Sequence, residues 1–393
     1  METLIELYDA RPLENIIGPE VFHPKRVVYI CPEDFTEKER TREKLNTFFQ
    51  HRGLEPELVF TCSNVYESSS TLRVFRDIDR KYPDCTLDIS GGTEAVLFAA
   101  GLLCAESAIP VMTYSRRNNC FYNIRGAVFG REMPCTVAYT VEDCLLMAGG
   151  SMRKGRVDNA ILENYLSDID PFFQLYLAHR QNWTKTVNYM QRVSLTGEDG
   201  TYSLSVNGDY LVKGERSNWI KAPEDVLRDL EKIGFLLDLE IVPDESASFR
   251  FRDGQIRAWL RDVGSVLELY VYKACLDSGL FQDVRTSVVV DWEGTEQTQA
   301  VSNELDVMCT RSVTPVFISC KTCSVKTEAL NELSVLRDRF GGKMARAAIV
   351  TSSRGGAAMR NRASELDIMV IDINDLISGE IDKRLKKLME HIK

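Results

Sequence analysis

The sequence is poor in the residues on which several common chemistries depend. Its four histidines, His23, His51, His179 and His391, are scattered along the chain, so no Ser/His/Asp or Cys/His pairing offers itself for nucleophilic hydrolysis. The same scatter weighs against structural zinc, because Cys320 and Cys323 form a CxxC without a second pair or histidines at ligand spacing. The eleven cysteines follow no regular framework, and the opening stretch METLIELYDA has no basic segment leading into an apolar run. Reduced thiols and a cytoplasmic location are therefore expected. Apolar runs such as AVLFAAGLLCA fall far short of the roughly 20 residues that span a bilayer, and no membrane segment is expected. Positive charge is also scarce: 48 Lys and Arg face 58 Asp and Glu, a net charge of −10. That balance excludes a broad basic face that coats nucleic acid and leaves only local contacts for a polyanion. Neither GxxxxGK[ST] nor GxGxxG occurs, so nucleoside triphosphate hydrolysis and dinucleotide redox chemistry lack support.

What is present is organised in three stretches. Over residues 1–133 strand signals (RVVYIC, ELVF, TLDIS, AIPVMTY) alternate with helical ones, the pattern of a Rossmann-like parallel sheet that receives ligands at its carboxyl edge. Residues 134–246 read as a small helical or winged-helix connector, with TYSLSVNGDYLVKG as a hairpin. Residues 247–393 begin with SFRFRDGQIRAWL, read as a second hairpin, and continue as helix, three strands, helix, strand, helix, strand, helix. The fold class expected is α/β throughout.

The third stretch carries a constellation of acids and a lysine. In ELDVMC, Glu304 and Asp306 share one face of a strand, and in PVFISCK, Ser319 and Lys321 share one face of the next. On the preceding helix the apolar stripe runs through Val263, Val266, Leu267, Tyr270, Val271 and Ala274, and Glu268 stands beside it. Hard oxygen donors for Mg²⁺ or Mn²⁺ together with a cation are what phosphodiester hydrolysis requires. A cross-strand ion pair between Asp306 and Lys321 accounts for the same two residues without any chemistry.

The sequence Gly264, Leu267, Glu268, then Glu304 to Val307, then Ser319, Cys320, Lys321 resembles the PD-(D/E)xK restriction-endonuclease-like nuclease core. The resemblance implies Glu268, Asp306 and Lys321 as catalytic residues. It implies Glu268, Asp306 and the Cys320 carbonyl as metal ligands, with Glu304 as a spare acid. Ser319 departs from the pattern, standing where the family has Asp or Glu.

In the first stretch, DISGGTEA runs from a strand into a helix. Backbone N–H groups at Gly91, Gly92 and Thr93, with the hydroxyls of Ser90 and Thr93, would cradle an anion. A Gly-Gly turn that merely solves a backbone problem looks the same. The turn, the Rossmann half and the nuclease-like half together resemble the CRISPR-associated Rossmann fold (CARF) proteins, more narrowly the Card/Can nucleases of type III CRISPR immunity. That resemblance implies a homodimer whose paired CARF domains bind a cyclic oligoadenylate, most simply cyclic tetra-adenylate, and so activate a metal-dependent nuclease acting on single-stranded DNA or RNA in antiviral defence. The matching ligand positions are Cys31, Pro32, Asn64 and Ser90 to Glu94, with Arg116, Arg117 and Asn118 as further phosphate or base contacts.

Arg250, Arg252, Arg257 and Arg261, interleaved with Phe249, Phe251 and Trp259, have the composition of a strand-binding groove. Two other functional readings stay open. In one the protein is a catalytically inactive, ligand-sensing regulator that binds DNA through the connector. In the other it is a ring nuclease that cleaves its own activator.

Overall fold

The computed structural model describes residues 1–393 other than 10, 11, 36, 37, 127, 128, 154, 156, 198, 199, 215–217, 293–301, 343, 344 and 391–393. The first sheet contains β1 (Thr3–Leu7), β2 (Arg26–Pro32), β3 (Glu57–Ser63), β4 (Cys85–Asp88), β5 (Val111–Ser115), β6 (Cys120–Arg125) and β7 (Glu132–Pro134), in the order β3-β2-β1-β4-β5-β6-β7. The five strands from β3 to β5 are parallel, and β6 and β7 are antiparallel additions. Helices Lys38–His51, Ser68–Lys81 and Glu94–Glu106 make the crossovers.

β1 lies mid-sheet although its apolar pattern is interrupted by Glu6, a fully buried carboxyl. This corrects the strand count of the sequence reading. Cys31 and Pro32 close the second strand, and the glycine turn follows the fourth. The chain runs outward from β1 to β3 and then returns to β4, so the order reverses between β1 and β4. Open α/β sheets bind ligands outside the carboxyl ends of the strands at such a reversal.

A short strand, β8 (Ser151–Arg153), leaves for the C-terminal sheet. Then come helices Leu166–His179 and Trp183–Val193, β9 (Ser205–Asp209), β10 (Leu211–Lys213), β11 (Trp219–Lys221), helix Glu224–Lys232, β12 (Leu236–Val242) and β13 (Ser246–Phe251). The sheet β12-β13-β9 with the helix ahead of β12 has winged-helix character.

Both expected hairpins are corrected. β9 pairs with β13 while β10 pairs with β11, and fully buried Tyr210 stands at the point where the chain passes from one sheet to the other. In SFRFRDGQIRAWL the Asp-Gly pair is a helix start. Asp253 Oδ1 accepts the Ile256 N–H at 2.9 Å and caps helix Gly254–Trp259.

The last stretch contains helix Ser265–Asp277, β14 (Asp283–Asp291), β15 (Ser302–Arg311), β16 (Thr314–Lys321), helix Thr327–Phe340, β17 (Arg346–Thr351), helix Ala357–Glu365, β18 (Ile368–Ile371) and helix Ile381–Glu390. The sheet order is β18-β17-β16-β15-β14-β8. One apolar core joins Leu267 and Val271 of helix Ser265–Asp277 to Val307 and Ile318 and to Phe172 and Trp259 of the middle region. A second joins Leu333 and Leu336 of helix Thr327–Phe340 to Met308 and Phe317, and extends through Tyr139 to Tyr29 in the first sheet.

Candidate active site

The β15–β16 ladder runs from Arg311–Thr314 to Val307–Ile318 and ends there. One residue further on the strands part, and the side chain of Asp306 fills the gap. Its Oδ2 accepts the Cys320 N–H at 2.5 Å, the Ser319 hydroxyl at 3.0 Å and the Lys321 ammonium at 3.3 Å. A carboxylate thus replaces the missing backbone partner of Cys320. Within a strand the N–H and C=O of one residue point the same way, so the Cys320 carbonyl also faces the gap. The ion pair between Asp306 and Lys321 is therefore real, but it is one part of a larger fork. Thr286 Oγ1 donates to the Asp306 carbonyl at 2.8 Å and holds the fork from β14.

Glu268 lies in the first turn of helix Ser265–Asp277, and its carboxylate folds back over Gly264, where a Cβ would come within 2.6 Å of Oε1. Burial, then repulsion from Asp306, Asp262 and Glu304, outweighs the help of Lys321 and pushes the Glu268 carboxyl up to about 8. Burial works to lower the pKa of Lys321, but the charge of Asp306 and its hydrogen bond prevail and raise it. Lys321 is thus a fixed cation. The Cys320 thiol is buried and pushed well up, by burial first and then by Asp306 and Glu268, which leaves its backbone as the useful donor.

The donor set suits a hard divalent cation. Two carboxylates and a carbonyl are oxygen ligands, and the repulsion among the acids that helps raise Glu268 is what such a cation would relieve. Among the described residues no three His, Cys, Asp or Glu side chains converge for metal binding, so the backbone carbonyl matters. Glu304 is held back from the fork. Ser287 in β14 has φ 53°, and its hydroxyl donates to Glu304 Oε1 at 2.6 Å.

Two acids escaped the sequence reading. Asp262 caps the turn before the Glu268 helix, accepting from Gly264 N at 3.2 Å and Ser265 Oγ at 2.9 Å. Its place just ahead of the helix was the available signal. Glu332, on helix Thr327–Phe340, lines a cleft of about 40 Å³ with Glu304, Asp306, Ser319 and Lys321, and accepts from Asn303 Nδ2 at 2.8 Å. Nothing in its local sequence marks it.

The glycine turn lies at the reversal between β1 and β4. A Cβ on Gly91 would come within 2.5 Å of the Leu7 carbonyl, and Gly92 has φ 93°. Both glycines are thus required by the turn itself. Ser90 N donates to Asp88 Oδ1 at 2.8 Å, as does the Ser90 hydroxyl, which also accepts from Tyr114 N at 2.7 Å. Thr93 caps helix Glu94–Glu106 and donates to the Val65 carbonyl at 2.5 Å. These hydroxyls hold the turn in shape.

The other expected ligand contacts are spread around the same rim. Asn64 forms a local turn by accepting from Tyr66 N at 3.1 Å, Cys31 is buried at the end of β2 beside half-buried Pro32, and Glu94 is exposed. Arg116 is turned inward against buried Glu14, whereas Arg117 and Asn118 are exposed.

Each arginine of the Arg250 to Arg261 stretch has a partner within the chain. Arg252 grips both oxygens of Asp168 at 3.0 and 2.6 Å, Arg250 pairs with Asp238, and Arg257 donates to the Ser194 carbonyl at 2.8 Å. Arg261 donates to Ser194 Oγ at 3.0 Å, and Phe249, Phe251 and Trp259 are buried.

No curated protein sequence matches the chain. The family described as Card1-like, endonuclease domain matches residues 257–392. Among solved structures, Can2 from Sulfobacillus thermosulfidooxidans, in complex with cyclic tetra-adenylate, aligns with a TM-score of 0.72 and 18% identity over 99% of this chain and 100% of that one. Protein VC1899 from Vibrio cholerae aligns with a TM-score of 0.71 and 17% identity over 98% of each. At such identities these alignments speak for the fold. The C-terminal third of the chain is a Card1-like endonuclease domain, in a chain that shares its overall fold with Can2.

Proposed function

We propose that the protein is a nuclease activated by a cyclic oligoadenylate and dependent on Mg²⁺ or Mn²⁺, acting in type III CRISPR antiviral defence. The observation that carries this reading is the fork where β15 and β16 part, with Asp306, the Cys320 carbonyl and Lys321 in the gap and Glu268 beside it. Glu268, Asp306 and the Cys320 carbonyl would hold the cation. Bound there, it would polarise a phosphoryl oxygen and acidify a water. Ser319 and the Cys320 N–H fix the Asp306 oxygen, and protonated Lys321 steadies negative charge on the phosphate.

The activator fits the reversal point of the first sheet, where the Ser90 to Thr93 backbone opens a helix. Can2 was solved with cyclic tetra-adenylate, and the same ligand is the first candidate here. A homodimer is supported by helix Glu94–Glu106, which exposes Leu97, Phe98 and Leu102 on one apolar side. The reading as a DNA-binding regulator is weakened by the helix ahead of β12. At the recognition position of a winged helix it carries Glu224, Asp225, Asp229 and Glu231 against Arg228 and Lys232.

The test incubates the full chain with Mn²⁺ or Mg²⁺, labelled single- and double-stranded DNA and RNA, and each cyclic oligoadenylate in turn. Cleavage that needs both metal and one ring size, and that Asp306→Asn abolishes, is the expected result. Metal-independent or activator-independent cleavage would refute it.

A further inference from the structure

The chain is acidic overall, yet one cavity of the endonuclease domain is lined by cations. It lies at the β18 edge of the sheet, has a volume of about 360 Å³, and draws its walls from helices Ala357–Glu365 and Ile381–Glu390. Arg346, Arg360, Arg384 and Lys387 face it, and Asp367 is the one acid among the described lining residues.

Two of these guanidinium groups have unmet donors. Arg346 is half-buried and its Nε has no hydrogen-bond partner among the described residues. Burial lowers the Arg346 pKa, Asp367 opposes this, and Arg337 adds repulsion. Arg384 donates to the Val370 carbonyl at 2.5 Å, while its Nε has no hydrogen-bond partner among the described residues and lies 3.6 Å from Asp375. Arg360 is paired with Asp372, which lies outside the lining, and Lys387 is exposed at the rim. A recess with spare guanidinium donors calls for an occupant that is anionic and only accepts hydrogen bonds, and phosphate is the biological group with that character.

The site is distinct from the fork. In the parallel pairing of β16 and β17, Val316 is opposite Arg346 and Lys321 is opposite Thr351. Five residues of strand separate the two ends, about 17 Å at the usual rise. One phosphate cannot serve both places, but a polymer with a charge at every step can.

We propose that this cavity is an exosite that binds a backbone phosphodiester of the nucleic-acid substrate away from the bond being cut. The identity of the ligand rests on the nuclease reading, whereas the anion site itself does not. The exosite anchors the strand and leaves the chemistry at the fork untouched.

The test measures binding of fluorescent DNA and RNA strands to the full chain in EDTA across a salt series. The double variant Arg346→Gln, Lys387→Gln should bind about tenfold more weakly and should flatten the dependence of log K on log salt by about one contact or more. Its activated cleavage rate at saturating substrate should match that of the parent. Unchanged affinity and slope would overturn the proposal. So would a mononucleotide that stabilises the parent and not the variant while strand binding is the same in both, since the cavity would then be a small-nucleotide site. If the double variant does not fold, the exposed Lys387→Glu alone should weaken binding several-fold, and its failure to do so counts equally against the exosite. A parent that binds strands through this cavity but never cleaves them would sink the nuclease reading alone. A parent that cleaves while the variants bind normally would sink the exosite alone.

Discussion

Replacing Asp88 by Asn should change how the stability of the N-terminal half depends on pH, by an amount that follows from the burial of its carboxyl. Asp88 at the end of β4 is paired in register with Glu6 of β1, and both carboxyls are fully buried. A Cβ on Gly18 would sit 2.5 Å from Glu6 Oε1 and 2.8 Å from Asp88 Oδ2, so both acids face one small space. Asp88 Oδ2 and both Glu6 oxygens have no hydrogen-bond partner among the described residues. Burial raises Asp88 from its ordinary 3.8 to about 6, against the pull of two hydrogen bonds from Ser90. Glu6 is driven well up, by burial and then by Asp88, and buried Tyr29 is raised by burial first and then by Glu6. The folded state therefore holds the Asp88 proton more tightly than the unfolded chain does. The resulting stability is full below about pH 4 and is lost as the pH rises through about 6. A shift from 3.8 to about 6, at about 1.36 kcal/mol per unit, amounts to about 3 kcal/mol. In Asp88→Asn the amide oxygen still accepts from Ser90, but position 88 no longer titrates. The difference in unfolding free energy between parent and variant should then swing by about 3 kcal/mol in favour of the variant between about pH 4 and pH 7. Urea denaturation of both proteins at a series of pH values measures it. A difference that stays flat over that interval refutes the reasoning.

Other outcomes follow from the same geometry. Ser319→Ala should keep activated cleavage within about threefold, because Asp306 retains its Cys320 and Lys321 contacts, whereas Glu268→Ala should lose about a hundredfold. A dead Ser319→Ala beside an active Glu268→Ala, read in metal titrations, would move the metal to other residues. Arg252→Gln should cost about 1–2 kcal/mol in denaturation, through loss of the Asp168 pair, and leave the substrate concentration for half-maximal rate unchanged. A raised half-maximal concentration at unchanged stability would return that arginine to the substrate. Phe98→Asp with Leu102→Asp should give a monomer in light scattering and abolish activated cleavage. A dimer that persists would remove that helix from the interface.

The legible part of the fold was the part that obeys local rules. The alternation of strand and helix, the turn at Ser90 to Thr93 and the order of Glu268, Asp306 and Lys321 depend on spacing within one or two elements, and spacing is what a sequence displays. β1 was not legible because Glu6 occupies a core position, and a buried neutral acid looks like a surface charge until its neighbours are known. The Arg250 to Arg261 stretch misled for the opposite reason. Its charges are met by Asp168 and by carbonyls near Ser194, which lie far away in the chain and close only in the folded protein. The Asp253-Gly254 pair fits a hairpin turn and a helix cap equally well, and only the strand that pairs with Phe251 decides between them. The close approach of Glu332 to the fork depends on how helix Thr327–Phe340 packs, which no local pattern encodes.

β8 sets a limit on how the protein can be taken apart. Met152 and its neighbours pair with Val289 to Asp291 of β14, and Arg153 grips Asp291 with two hydrogen bonds at 2.9 and 2.6 Å. The outermost strand of the endonuclease sheet thus belongs to the segment that leaves the N-terminal half. An endonuclease excised at its recognised boundary, residue 257, would expose the raw edge of β14 as a template for pairing with other chains. The same stitch runs in the other direction. Two residues before the β8 contact, β14 carries Ser287, whose hydroxyl restrains Glu304, so the linker's partner strand and the restraint on Glu304 are one continuous stretch of chain.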